Sequence, residues 1–278
     1  MKKLLLILLC LPMIGFGQNV YIPDANFKAY LVGTNWINTN GDSHIQISEA
    51  TSFPGYIDCE ALNIYDLTGI EAFTAITKLW CGYNLLTSFD VSQNTALIHF
   101  DCEDNQLISL DVSNNIALEY LGCGQNDLTS LDVSQNTALT ELWCGYNELT
   151  ALDLSYNIAL EDLDCTSNEL TCLNLANGNN TNMNGSTLYA NHNSNLGCIE
   201  VDDVAWSTAN WEIDPQPSFS IDCNNACSGT STGILDITNK RNLLKITDML
   251  GQETPYRKNT PLFYIYDNGT VEKKIILE

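Results

Sequence analysis

Apolar and polar positions recur along the middle of this chain in a nine-residue code, Leu-x-x-Leu-x-Cys-x-x-Asn, with Ile76 and Phe100 standing in for a Leu. Cys81, Cys102, Cys123, Cys144 and Cys165 stand 21 residues apart, and Asn84, Asn105, Asn126, Asn147 and Asn168 follow at the same step. An unbroken period of this length marks a solenoid, in which each repeat buries its apolar face only against its neighbours. One unit, Leu118 to Ala138, divides into two halves of ten and eleven residues: Leu118-Glu-Tyr-Leu121-Gly-Cys123-Gly-Gln-Asn126, then Leu128-Thr-Ser-Leu131-Asp-Val133-Ser-Gln-Asn136. Side chains alternate along a strand, so Leu121 and Cys123 point inward and Gly122 outward, and Leu131 and Val133 inward with Asp132 outward. Each half therefore predicts one short parallel strand. The Asn closing each half is placed to bond the turn backbone and to stack on the Asn of the next coil.

A solenoid needs caps. Pro23 to Leu31 places Phe27, Tyr30 and Leu31 at i, i+3 and i+4, one face of a short N-terminal helix. Val201 to Cys223 carries Trp206, Trp211 and Phe219, enough apolar bulk to cover the last coil. The ladder cysteines occupy an inward position where a Leu also fits and have no partner His, so they read as small core hydrophobes. Cys172, Cys198, Cys223 and Cys227 lie off the ladder register and are disulfide candidates, with three pairings open. Cys172 and Cys198 hold matching positions on adjacent strands; Cys198 with Cys223 would instead staple the cap.

Charge divides the chain. Residues 18 to 228 hold 28 of the 34 acidic residues and only two cations, Lys28 and Lys78, whereas the segment beyond holds seven basic and six acidic residues. An acidic body repels nucleic acid and anionic lipid and attracts basic surfaces. At the start, Lys2 and Lys3 precede the apolar run Leu4 to Leu11, with the small residues Gly15 and Gly17 beyond, a secretory signal peptide over residues 1–17. The run is too short to span a bilayer, and no later segment is long and apolar enough to do so. Cys227-Ser-Gly-Thr-Ser-Thr-Gly233 reads as a linker, and Leu262-Phe-Tyr-Ile-Tyr266 followed by Asp267-Asn-Gly as a hairpin.

These residues carry three resemblances. The nested halves over residues 57–201 resemble the bacterial leucine-rich repeat family, which implies a right-handed, flattened, mainly β solenoid with parallel sheets on both faces, capped by residues 18–56 and 202–228. Residues 229–278, through Ile246-Thr-Asp-Met-Leu-Gly-Gln-Glu253 and the 262–274 segment, resemble the C-terminal sorting domain of the type IX secretion system of Bacteroidetes. That likeness implies a small β-sandwich-like domain, export-machinery contact, and delivery of a secreted or outer-membrane surface protein. Asn38-Thr-Asn40-Gly-Asp42-Ser-His44-Ile-Gln46-Ile-Ser-Glu49 resembles an EF-hand loop, with Asn38, Asn40, Asp42, Gln46 and Glu49 on positions 1, 3, 5, 9 and 12. It departs by Asn38 at position 1 and Ser43 at position 6; calcium is the only cofactor it implies.

Function is expected on the outward columns. The Cys-bearing strands show Trp80, Asp101, Gly122, Trp143 and Asp164; the turn beyond shows Tyr83, Asp104, Gln125, Tyr146 and Ser167; the near side shows Lys78, His99, Tyr120, Glu141 and Asp162. Trp80, Tyr83, Asp101, Tyr120, Trp143 and Tyr146 form the expected recognition surface for a protein or a glycan. The opposite column, Asp90, Asp111, Asp132 and Asp153 followed by four serines, places like charges one strand apart. The three His residues lie in unrelated segments, and no nucleophile elbow, phosphate loop or His/Cys metal spacing occurs. The pattern points to binding at a cell surface, or to a structural surface component, rather than to an enzyme.

Overall fold

The structure, a computed structural model, describes residues 18–183, 187–223 and 227, together with the strand backbones 243–247, 262–266 and 271–274. The signal segment 1–17 and the linker following Cys227 lie outside the described residues. Two compact units divide the chain, Met1–Gly229 and Thr230–Glu278.

The first unit opens with helix α1, Ala25–Gly33, whose first turn is capped by the Asp24 carboxylate accepting the Asn26 and Phe27 N–H groups. Phe27 and Leu31 are fully buried. Tyr30, on the same face, accepts the Asp58 N–H at its hydroxyl, which ties the cap to the first coil. Helix α2, Ile47–Ser52, follows, with Gln46 and Glu49 forming a reciprocal capping box.

Eleven short strands make the solenoid among the described residues: β1 Tyr56–Asp58, β2 Lys78–Trp80, β3 His99–Asp101, β4 Tyr120–Gly122, β5 Glu141–Trp143, β6 Ala151–Asp153, β7 Asp162–Asp164, β8 Cys172–Asn174, β9 Leu188–Tyr189, β10 Cys198–Glu200 and β11 Ser218–Ser220. Helix α3, Val204–Asn210, lies between the last two. Strands β1 to β5, β7 and β9 form a seven-stranded parallel sheet, in register from Tyr56 to Tyr189. Every ladder cysteine is fully buried beside its Leu or Phe. Burial drives the thiol pKa values upward, that of Cys123 to about 12, so these are packing groups.

The opposite face departs from the expected strand in every half. Its sheet holds only β6, β8, β10 and β11; the segments 89–91, 110–112 and 131–133 form no ladder. The two asparagine columns also differ. On the Cys side each Asn uses both ends. The Asn126 amide donates to the Cys102, Cys123 and Gly124 carbonyls, and its oxygen accepts the Leu107 N–H of the preceding coil. On the other side Asn94, Asn115, Asn136 and Asn157 donate to two carbonyls of the preceding coil, but their oxygens are buried without a donor. Coils are therefore gripped from both backbone polarities on one face only. The Asp column is relieved locally: Asp90, Asp111, Asp132 and Asp153 each accept the N–H of the Ser two residues on. The Ser113 hydroxyl and N–H hold Asp111, and the Ser92 N–H and hydroxyl hold Asp90, below the usual carboxylate pKa.

Cys198 bonds Cys223, and Cys172 bonds Cys227. Cys172 and Cys198 do sit on neighbouring strands, with Leu173 opposite Ile199, yet each reaches instead to the segment after β11. Parallel in-register neighbours point the same way, which does not suit a disulfide. At the same end Trp211 donates its indole N–H to Met183 and packs on Trp206 and Phe219. In the second unit, β12 (Leu243–Thr247), β13 (Leu262–Tyr266) and β14 (Val271–Lys274) make one antiparallel sheet; β13 and β14 pair as the predicted hairpin.

Asn126→Ala leaves the buried Leu107 N–H without its acceptor and takes one donor from each of the Cys102, Cys123 and Gly124 carbonyls, which keep another. It should lower unfolding free energy by about 3 kcal/mol or more in urea titrations, whereas Gln125→Ala, next door but exposed, should change it by less than about 0.5 kcal/mol.

Candidate functional site

The outward side chains of β1 to β5 assemble into one continuous aromatic row. Tyr56 meets Trp80 at 5.4 Å between ring centroids, Trp80 meets His99 edge-on at 5.5 Å, His99 stacks on Tyr120 at 4.0 Å and 5°, and Tyr120 meets Trp143 edge-on at 5.3 Å. The row zigzags between the two outward columns: Tyr56, His99 and Tyr120 stand on the near side of their strands and Trp80 and Trp143 on the far side, with neighbouring strands ~4.8 Å apart. Lys78 lies with its ammonium 5.6 Å from the Trp80 ring. Burial and the Lys78 charge lower the His99 pKa, so its imidazole enters the stack neutral at pH 7.

Gly122 does not stand open to solvent as the alternation predicts. A Cβ there would lie 2.9 Å from the Tyr120 hydroxyl and 3.0 Å from Asp101 Oδ2. The missing side chain lets Tyr120 fold over the strand and donate to Asp101 at 3.3 Å. Asp101 also accepts the Glu103 N–H at 2.9 Å. Burial raises the Asp101 pKa against both donors, and burial with the Asp101 charge pushes the Tyr120 hydroxyl far above its ordinary range.

Four of the expected surface residues, Trp80, Asp101, Tyr120 and Trp143, are thus brought together. Tyr56 and His99 belong to the same row; the sequence signal for them was register, since they occupy the near-side column shared with Tyr120. Tyr83 and Tyr146 stand apart on the turn, exposed, at φ of 55° and 57°. Asp104, Gln125, Ser167 and His192 share that left-handed conformation, which ordinarily favours Gly or Asn. The backbone there is constant while the side chain changes from coil to coil. Carboxylates border the row: Glu103 and Asp104 raise the Tyr83 pKa, and Asp101, Asp58 and Glu103 contribute after burial to raising that of Glu60.

The EF-hand-like loop closes on itself. Glu49 accepts the Thr39, Asn40 and Gln46 N–H groups, Asp42 accepts the His44 N–H and the Asn40 and Gln46 amides, and Asn40 accepts the Asp42 N–H. Asn38 donates to Val32 and Asp42, with its own oxygen buried and unpartnered. A cation there would have to replace those donors. Among the described residues no group of three or more His, Cys, Asp or Glu is placed to hold a metal ion.

No family model matches the chain. Over 78 residues, 28% of this chain, the sequence is 43% identical to internalin J of Listeria monocytogenes serotype 4b (strain F2365). The chain spans 8% of that protein's length. Similar solved structures include the functional domain of internalin J from Listeria monocytogenes, described as including a cysteine ladder, at 25% identity, 73% of this chain, 61% of that chain and TM-score 0.33. The leucine-rich repeat domain of APL1 matches at 19% identity over 63% of this chain and 53% of that one, with TM-score 0.47. The fold is a leucine-rich repeat solenoid. Among the described residues no helix is long and apolar enough to cross a membrane.

Because the folded state raises the Asp101 pKa, it favours the protonated acid. Stability tied to this group is complete below the unfolded-chain value and is lost as pH rises through the folded value. Asp101→Asn keeps the acceptor for Glu103 and cannot ionise. Its unfolding midpoint in urea should gain on wild type as pH is raised from about 3 to about 7.

Proposed function

We propose that this solenoid recognises another protein through the face of its Cys-bearing strands, as an exported protein acting at or beyond the cell surface. The observation that carries the reading is the unbroken row from Tyr56 to Trp143 across five adjacent strands, outward-facing and bordered by carboxylates. Aromatic side chains on a rigid sheet give large contact area at small entropic cost, which is how interface anchors work. Similarity to internalin J supports a recognition or adhesion role. Binding rather than catalysis also fits the histidines: His99 is held in the ring stack, while His44 and His192 are exposed on separate turns. His99 and Tyr120 each cover one ring face of the other, which removes flat open faces that a sugar ring needs; this favours a protein partner over a glycan.

Export is supported by the signal-like start and by the two disulfides, which persist in oxidising compartments. The charge-balanced segment beyond residue 228 is read as the address for the type IX machinery, dispensable for recognition.

Defined proteins and glycans immobilised as an array should separate the readings. Capture by proteins is expected, and Trp143→Ala should weaken it by about 2 kcal/mol. Capture by glycans alone, or loss on Asp111→Asn with none on Trp143→Ala, would overturn the assignment of partner or of face. A chain ending at residue 228 should fold, retain the same binding, and remain in the periplasm of its host; its appearance on the cell surface would remove the role given to the tail.

A further inference from the structure

The row of rings ends in an unusual place. Beyond Trp143 the next strand presents Asp164 in register, and the strand after that presents Tyr189. A carboxylate is thus bracketed by two aromatic side chains, 41% and 49% exposed, on the strands to either side. Those strands are separated by ~10 Å, two strand spacings. Asp162 lies on the same strand as Asp164 with the Trp143 indole N–H turned toward it, and Glu141 sits opposite Asp162. Asp164 spends one oxygen on the Thr166 N–H.

No Lys or Arg occurs between Lys78, which is engaged with Trp80, and Lys240, so the coils that carry this place contain no cation of their own. Partial burial, with the Asp164 charge beside it, raises the pKa of Asp162 against the Trp143 hydrogen bond. An aromatic ring on each side and carboxylates at the floor are what a planar, delocalised cation needs, since ring faces attract cations and a guanidinium stacks while bonding carboxylate oxygens. We propose that Trp143, Tyr189, Asp162 and Asp164 form a slot for an arginine side chain of a basic, extended segment of the protein partner. Charge complementarity selects that occupant, because the unit carrying the slot has two cations against 28 acidic residues over 18–228. The inference rests on the recognition reading above and adds to it the chemistry of the partner. Lys78 over Trp80 shows the same contact within the molecule, at the other end of the row.

The test titrates the full chain with a synthetic peptide of alternating Arg and Ser, with a Glu-Ser peptide as the negative probe, by calorimetry and tryptophan fluorescence. The Arg-Ser peptide should bind saturably and the Glu-Ser peptide should not. Trp143→Ala and Tyr189→Ala should each weaken binding by about fivefold or more. The pair Asp162→Asn with Asp164→Asn, which keeps the acceptor for Thr166, should weaken it by about tenfold. The pair Asp111→Asn with Asp132→Asn removes the same charge from the opposite face and should change affinity by less than about twofold. Equal losses from the two charge pairs would reduce the effect to general attraction by a polyanion and overturn the slot. So would unchanged affinity in Trp143→Ala, or failure of the wild type to bind the Arg-Ser peptide. If the array finds a protein partner that the Arg-Ser peptide does not displace, the slot falls and the recognition reading stands. If it finds glycans alone, the recognition reading falls, whatever the peptide does.

Discussion

The structure depends on one side-chain amide repeated at a fixed step. A solenoid coil must turn twice, and each turn leaves backbone N–H and C=O groups facing the interior, where an unmade hydrogen bond costs about 1–3 kcal/mol. On the Cys side one asparagine resolves both polarities at once, donating to carbonyls of its own and the preceding coil and accepting an N–H from the preceding coil. The pattern runs from Asn84 to Asn193. No other side chain carries an NH₂ with two donors and a carbonyl acceptor on so short an arm. The forced turn then throws the preceding residue into the left-handed region, so the strain at Tyr83 or Tyr146 is a product of the ladder. The equivalent asparagines of the other face, Asn94 to Asn157, use only the donor end, and regular pairing on that face begins at Ala151–Asp153.

The candidate surface follows from the same register. Register sets the two outward columns side by side, so single aromatics from both columns meet as one row. Local exceptions tune it. The glycine at 122 admits the Tyr120 hydroxyl onto Asp101, and a neutral His99 completes the stack that a charged imidazole would disturb.

Most of the architecture was legible because a 21-residue period needs no knowledge of long-range contacts: each coil touches the next, and Leu121, Cys123 and Asn126 declare their own burial. The helix face of Phe27, Tyr30 and Leu31 was legible for the same local reason. Two things were not. Equal codes in the two halves predict equal strands, yet on the face opposite the cysteines the segments 89–91, 110–112 and 131–133 form no ladder, a difference that the code does not carry. The disulfide partners depend on the path of the chain after β11, which has no period to read. Within the surface, membership of His99 and Tyr56 was decided by ring-to-ring geometry, and the turn column of Tyr83 and Tyr146 proved separate from the row.

The five ladder thiols are inert only because they are inside. In the unfolded chain the same cysteines lie evenly spaced, solvated and free to cross-link with one another or with the four that form the native bridges. In an oxidising compartment, correct covalent structure therefore depends on timing: collapse of the coils has to outrun oxidation. The placement of both native bridges at the C-terminal end of the solenoid suits that order. The part of the chain meant to be oxidised lies last in the chain, and the part meant to stay reduced is a one-dimensional stack of local contacts that forms without waiting for it.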